Sequence, residues 1–431
     1  MIHLNAFLFA CGHHRAAWRH PQSTVERLGD ISYWEGLARI AERGKLDAIF
    51  FADGHTPQNV ADGPRWFFEP LTLLAALSRA TTHIGLISTV SSTFFTPFHA
   101  ARMLASLDHM SHGRIGWNVV TSMFDTEARN HGFESMPDHD WRYARAEEFI
   151  AATLALWDSW ADDAVLNDRA GAWAAPERVV PVNHRGEHFS VDGPLTVPRM
   201  PQGHPVLFQA GASEQGRDLA ARRAEAIYAV AWDLEVAQDY RRDILRRVRE
   251  AGRADPVPVM PGLVTYVASG EDEARAKQRE LDELLPAATS LRQLASFIGQ
   301  DCSDWDLDAP VPELPPLESF TGPKGRYATI LRIIESERPT LRGLLGRLAA
   351  GGGHCTMVGT PPAIADRIEH WVREGGADGF NLMPPSLPGS LEDFVDHVVP
   401  ELQRRGLFRR EYETTTLRGH LGLTRPECRR G

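Results

Sequence analysis

The sequence predicts an α/β fold, a TIM (β/α)8 barrel with insertions, from three observations. Short apolar runs recur along the 431 residues, each followed by an amphipathic stretch of helical period. None of the runs alternates apolar with polar, so they belong to a parallel sheet covered by helices on its outer face. The early runs also end in polar residues (His13/His14, Asp53, Ser92/Thr93, Thr121/Ser122), as barrel strands do when their carboxyl ends carry a site.

The strands follow in order. Ile2 to Phe9 opens the chain, with Cys11-Gly12-His13-His14 after it. The helix Tyr33 to Arg43 presents Trp34, Leu37, Ala38 and Ala41 on one face, and leads into Leu46 to Phe51 with Asp53 at its end. Asp53 reads either as a turn or cap residue or as a residue lining a site. Pro70 to Ala80 is the next helix, Ile84 to Val90 the third strand, and Pro97 to Met110 the helix after it. The fourth strand, Ile115 to Val120, contains Asn118. A carboxamide in such a run is either bonded to neighbouring backbone or turned toward a ligand, because an unpaired buried amide costs about 1–3 kcal/mol.

A helix from about Asp140 to Ser159 follows. His139 and Tyr143 stand four residues apart, so both project from one end of it. Residues 164–204 form an insertion in which His188 to Val191 reads as part of a hairpin. The barrel resumes at Pro205 to Gln209, and Ala210 to Gly216 then places Gly, Ala and Ser between a strand and a helix start. Backbone N–H groups approach a phosphate closely at such a loop, with Ser213 as an added donor. Ala226 to Val230 and Val257 to Ala268 are the sixth and seventh strands. A second insertion, at about 286–350, has the length of a lid or subunit contact. Gly351-Gly352-Gly353-His354 leads to the helix Pro361 to Arg373, and Gly379 to Met383 is the eighth strand. The charged tail, 409–431, is expected to dock on a partner subunit or to remain mobile. The whole chain, 1–431, reads as a single barrel domain.

Composition narrows the function. Net charge is −11, and lysine occurs only at Lys45, Lys277 and Lys324, so the positive charge is almost entirely dispersed arginine; a nucleic-acid partner is not expected. The four cysteines have no CxxC spacing, which suits a reducing compartment. Apolar runs are too short for the roughly 20 residues of a membrane span, and no leader is visible, so a cytoplasmic protein is expected. His13 and His14 lack a metal-ligand spacing, and no metal is expected. Trp66 and Phe67 add aromatic surface of unassigned role.

Gly113-Arg114-Ile115-Gly116-Trp117-Asn118-Val119-Val120-Thr121-Ser122 resembles the signature of the two-component, reduced-FMN-dependent monooxygenases of the bacterial luciferase superfamily. The closest group is that of the nitrilotriacetate, EDTA and dibenzothiophene-sulfone monooxygenases. The likeness extends in order through Leu4-Asn5-Ala6-Phe7, Gly12-His13-His14, Phe51-Ala52-Asp53, Asn130-His131-Gly132, Arg142 to Ala146, Gln209 to Ser213 and Asp378 to Leu382. It implies that Asp53, Ser92, Asn118, His139, Tyr143, Ala212 and Ser213 contact FMN, with the phosphate held by His139, Tyr143 and Ser213. Ser122 and one of His14, His20 or His354 are then the candidates nearest the reacting centre. The activity implied is insertion of one atom of O2 into a small organic substrate, with reduced FMN arriving from a separate NAD(P)H:flavin reductase and the protein assembled as a homodimer or homotetramer. No GxGxxG opens a βαβ unit, which agrees with a separate reductase. Two other readings compete: a non-catalytic flavin-binding barrel, and a metal-dependent barrel hydrolase using His13, His14 and Asp53.

Overall fold

Why eight strands close here follows from their pairing. The computed structural model describes residues 1–57, 60–65, 67–255, 257–320 and 324–428. In chain order the strands are β1 (His3–Phe7), β2 (Ala48–Phe51), β3 (Gly85–Ser91), β4 (Ile115–Val120), a small hairpin of β5 (His184–Arg185) and β6 (Ser190–Val191), β7 (Val206–Gln209), β8 (Ala226–Ala229), β9 (Val259–Val267), β10 (Cys355–Gly359) and β11 (Gly379–Leu382). Parallel pairing runs β1-β2-β3-β4-β7-β8-β9-β11 and returns to β1, a closed eight-stranded barrel with helices outside. Trp66 and residues 429–431 lie outside the described residues.

Two features depart from the sequence expectation. A ninth strand, β10, stands between Gly353 and the helix Pro361–Arg373, where no strand is expected. It exists because β9 is nine residues long: its first half pairs with β8 and β11, and its second half, Leu263 to Val267, pairs with β10. The charged tail docks on its own barrel. Leu417 and Leu421 join Ala48, Phe50, Ile87, Val206, Phe208 and Met260 in one buried cluster that fills the barrel from its amino end. The polar residues around them fix the position: Arg409 pairs with buried Asp47, Arg418 donates to Glu225 and to the His204 carbonyl, and His420 bonds the His83 carbonyl.

The second insertion has a core of its own. Helices Ala287–Ile298, Lys324–Glu337 and Leu341–Ala349 bury Leu294, Ile298, Tyr327, Ile330, Ile333, Leu344 and Leu348 against one another. The last two of these helices are separated at Pro339, which cannot continue a helix. Thr340 then caps the following helix through Gly343 N–H.

Beneath β4, Asp108 is fully buried and accepts bonds from Ile115 N–H and Gln202, while its second oxygen has no partner among the described residues. Burial raises its pKa to about 6. The unfolded carboxyl ionises near pH 3.9, so the native state holds the extra proton between pH 4 and 6. Stability therefore falls as pH rises through that window, by on the order of 2–3 kcal/mol, and is regained as pH falls below it. Asp108→Asn is expected to flatten this window in urea unfolding at pH 4, 5 and 6; an unchanged slope places the proton on another group.

Candidate active site

The site begins with the alternation of β4. Trp117 packs outward against Phe149 and Trp157, at ring separations of 5.9 and 5.2 Å, so Gly116, Asn118 and Val120 turn into the barrel. Asn118 is buried. Its amide donates to Thr89 Oγ1 at 3.1 Å from the neighbouring strand, and its Oδ1 has no partner among the described residues. A carboxamide held at one end and unpaired at the other, inside a barrel, is able to accept a hydrogen bond from a ligand. After β4, Ser122 adopts a left-handed φ of 54°, unusual for a residue other than glycine, asparagine or aspartate. Its hydroxyl lies 2.9 Å from Ser91 Oγ, and Arg142 clamps its carbonyl. Ser92 is buried and donates to the Val120 carbonyl at 3.1 Å.

A second corner forms at the loop after β7. Ser213 caps the helix Glu214–Arg223, accepting from Gly216 N–H at 3.2 Å, and its hydroxyl lies 3.4 Å from Tyr143 OH. Tyr143 and His139 come from the first turns of the helix His139–Trp157, their rings 4.8 Å apart, as the four-residue spacing predicts. Gly211 and Gly216 make the loop tight. A Cβ on Gly211 would stand 2.7 Å from Gly216 Cα, and one on Gly216 would stand 2.9 Å from Tyr143 OH. Exposed Ala212 contributes backbone, with its carbonyl taken by Arg217. A helix N-terminus, a capping hydroxyl, a phenol and an imidazole around a cradle without side chains match the needs of a phosphate.

Asp53 is tied into a chain the sequence did not reveal. Its carboxylate lies 3.1 Å from His55 Nε2, and His55 Nδ1 lies 2.7 Å from His131 Nε2. With His55 Nε2–H donating to Asp53, His55 Nδ1 accepts from His131. The hydrogen bond to Asp53 raises the pKa of His55, whereas burial and then the His55 charge lower that of His131. Asn130 donates to the His55 carbonyl, so both members of the Asn130-His131 pair hold His55. No spacing links positions 55 and 131; barrel closure joins them.

The four candidates for the reacting centre separate. Both ring nitrogens of His14 are engaged, Nδ1 by Ala16 N–H and Nε2 by Asp282 at 3.0 Å. His20 is held the same way by Gln22 N–H and Glu280. Neither keeps a free nitrogen for a substrate. His354 does: Nε2 bonds Tyr228 OH at 3.1 Å, and buried Nδ1 has no partner among the described residues. Tyr228 points inward from β8, stacks on Phe50 and donates to Met383 Sδ at 3.3 Å. Gly262 of β9 makes room, since a Cβ there would stand 2.3 Å from His354 Nδ1. Burial, then the charge of Arg326, pushes the His354 pKa down to about 3, so it is neutral at pH 7. Buried His13, on the Phe7 carbonyl, is pushed to about 4. The three residues of the hydrolase reading thus have three separate partners, and no group of three metal-ligating side chains is found among the described residues.

The luciferase-like monooxygenase family model matches residues 6–379. The chain belongs to that family. It is 45% identical to nitrilotriacetate monooxygenase component A of Aminobacter aminovorans, across 98% of this chain and 96% of the relative. Among solved structures, the EDTA monooxygenase of Chelativorans sp. BNC1 superposes with a TM-score of 0.85 at 34% identity, covering 98% of both chains. A riboflavin lyase solved with modified FMN and riboflavin gives 0.85 at 32% identity, covering 100% of this chain and 97% of that one. This luciferase-like enzyme is therefore a flavin-type monooxygenase on a barrel. No helix among its described residues is long and apolar enough to cross a membrane.

Proposed function

We propose that this monooxygenase works with reduced FMN and O2 and inserts one oxygen atom into a small organic substrate. The observation that carries the reading is the unpaired Asn118 carboxamide oxygen inside the barrel, together with the side-chain-free cradle at Gly211 and Gly216. Asn118, Asp53 and Ser92 would hold the polar edge of the isoalloxazine. Ser213, Tyr143, His139 and the backbone at Ala212 would hold the phosphate. When bound, reduced flavin supplies the electrons that activate O2. The protein's part is to orient the substrate and exclude water, with Ser122 and neutral His354 as the groups nearest the reaction. Reduced FMN would come from a separate NAD(P)H:flavin reductase, in the cytoplasm; the component A designation of the Aminobacter relative supports a divided system.

The test is oxygen-18 incorporation into candidate sulfones, aminopolycarboxylates and alkanes. Label is expected in product only when a flavin reductase, FMN and NADH are all present; turnover with NADH alone overturns the reading. The phosphate corner has its own check. Ser213→Ala is expected to weaken FMN about tenfold while leaving riboflavin, which lacks the phosphate, unaffected in fluorescence titration. Equal losses for both flavins move the phosphate elsewhere.

A further inference from the structure

Four arginines from separate segments converge beside the His354 loop. Arg15 follows β1, where its N–H bonds the Ala349 carbonyl and His14 bridges Ala350. Arg326 lies in the first turn of the helix Lys324–Glu337, with Cζ 4.7 Å from the Phe297 ring centroid and Nη1 3.3 Å from where a Cβ on Gly352 would sit. Arg65 belongs to a loop tethered at Asp62, whose carbonyl accepts from Trp18 Nε1 at 3.0 Å and whose carboxylate accepts from Thr289 and Arg292.

The cluster is short of counter-charge. Arg292 takes the Asp62 carboxylate at 2.6 Å, and among the described residues no carboxylate lies within ion-pair distance of Arg15, Arg65 or Arg326. Their guanidinium groups also make no hydrogen bond within those residues. Outer-helix arginines behave differently, Arg241 pairing with Asp378 and Arg247 with Asp243. Burial, followed by the charges of Arg15 and Arg326, pulls the pKa of Arg65 down to about 10. Arg326 is exposed, packed over the Phe297 ring beside the Gly352 loop. Its charge acts on His354 and Tyr228. Asp62 also attracts Arg15 and Arg65, but its carboxylate is bonded to Arg292, so four guanidinium groups share one carboxylate, and like charges crowded together with too few counter-ions are destabilising unless a ligand supplies more. They also oppose the −11 net charge of the chain, so the local field attracts an anion the rest of the surface repels.

We propose that Arg15, Arg65 and Arg326 form a carboxylate-binding site, and that the substrate oxygenated beside His354 carries two or more carboxylates. The oxygenation clause rests on the proposed function; the anion site stands on its own geometry. The flavin phosphate is the rival source of negative charge, and it has the separate corner at Ser213.

Titration calorimetry of the full chain without flavin decides the matter, with tricarballylate as probe and its trimethyl ester as the uncharged control. The acid is expected to bind, more weakly at high salt, and the ester is not. Arg326→Gln and Arg65→Gln should each weaken the acid about tenfold, with Arg326→Lys retaining part of the affinity and melting temperatures confirming that the variants fold. Equal binding of acid and ester, no binding of the acid, or indifference to both glutamine variants overturns the proposal. So does a loss of FMN affinity in Arg326→Gln with tricarballylate unaffected, which assigns the cluster to the cofactor. Arginine-dependent tricarballylate binding by a chain that fails to bind reduced FMN upholds the anion site while the flavin reading falls.

Discussion

Asn118→Leu is expected to lose reduced-FMN affinity by about ten- to a hundredfold while the barrel stays folded. The wild-type carboxamide is buried with its oxygen unpaired, so the bond it offers a ligand is made without first breaking another within the protein. A hydrogen bond in such a place is worth about 1–3 kcal/mol. Leucine has the same branching pattern, and relief of the orphaned oxygen offsets the lost bond to Thr89, so the fold is expected to survive with a change in stability of about 1–2 kcal/mol. Anaerobic flavin titration gives the affinity, and circular dichroism the fold. Wild-type FMN affinity in the folded variant would return Asn118 to the core. Reduced affinity accompanied by a lower melting temperature for Asn118→Leu, and restored fully by Asn118→Gln, would indicate packing rather than a directed bond.

Leu417→Ala is expected to have the largest effect on stability, about 2–5 kcal/mol, a considerable part of the 5–15 kcal/mol that holds a typical domain. Leu417 is completely buried and fills space that two barrel glycines leave open: a Cβ on Gly85 would stand 2.5 Å from its Cδ1, and one on Gly116 3.0 Å from its Cδ2. Alanine leaves a cavity that rigid strands cannot close. The measurement is urea unfolding followed by tryptophan fluorescence. FMN affinity of the folded variant should stay as in wild type, because the cavity lies at the amino end of the barrel and the proposed flavin site at the carboxyl end. A loss below about 1 kcal/mol would mean that the tail only rests against the barrel.

The sequence by itself determined the barrel, because apolar runs without alternation, separated by helical periods, admit few other arrangements. It also singled out Asn118, Tyr143, His139 and Ser213, the residues of the proposed flavin site. In each case the signal is local: a polar residue within an apolar strand, a four-residue spacing on one helix, small residues between strand and helix. Tertiary structure decided the rest. His14, His20 and His354 look alike as residues near loops, and only their partners separate them: Asp282 and Glu280 occupy the first two, while Tyr228 and Gly262 leave His354 with a free nitrogen. Positions 55 and 131 meet through strand pairing. The tail looks charged and solvent-borne because its many arginines conceal Leu417 and Leu421, the two residues that enter the barrel. The arginine cluster is gathered from the loop after β1, the 60–65 loop and the second insertion. Contacts of this kind depend on register and closure across the whole chain, and no window of neighbouring residues encodes them.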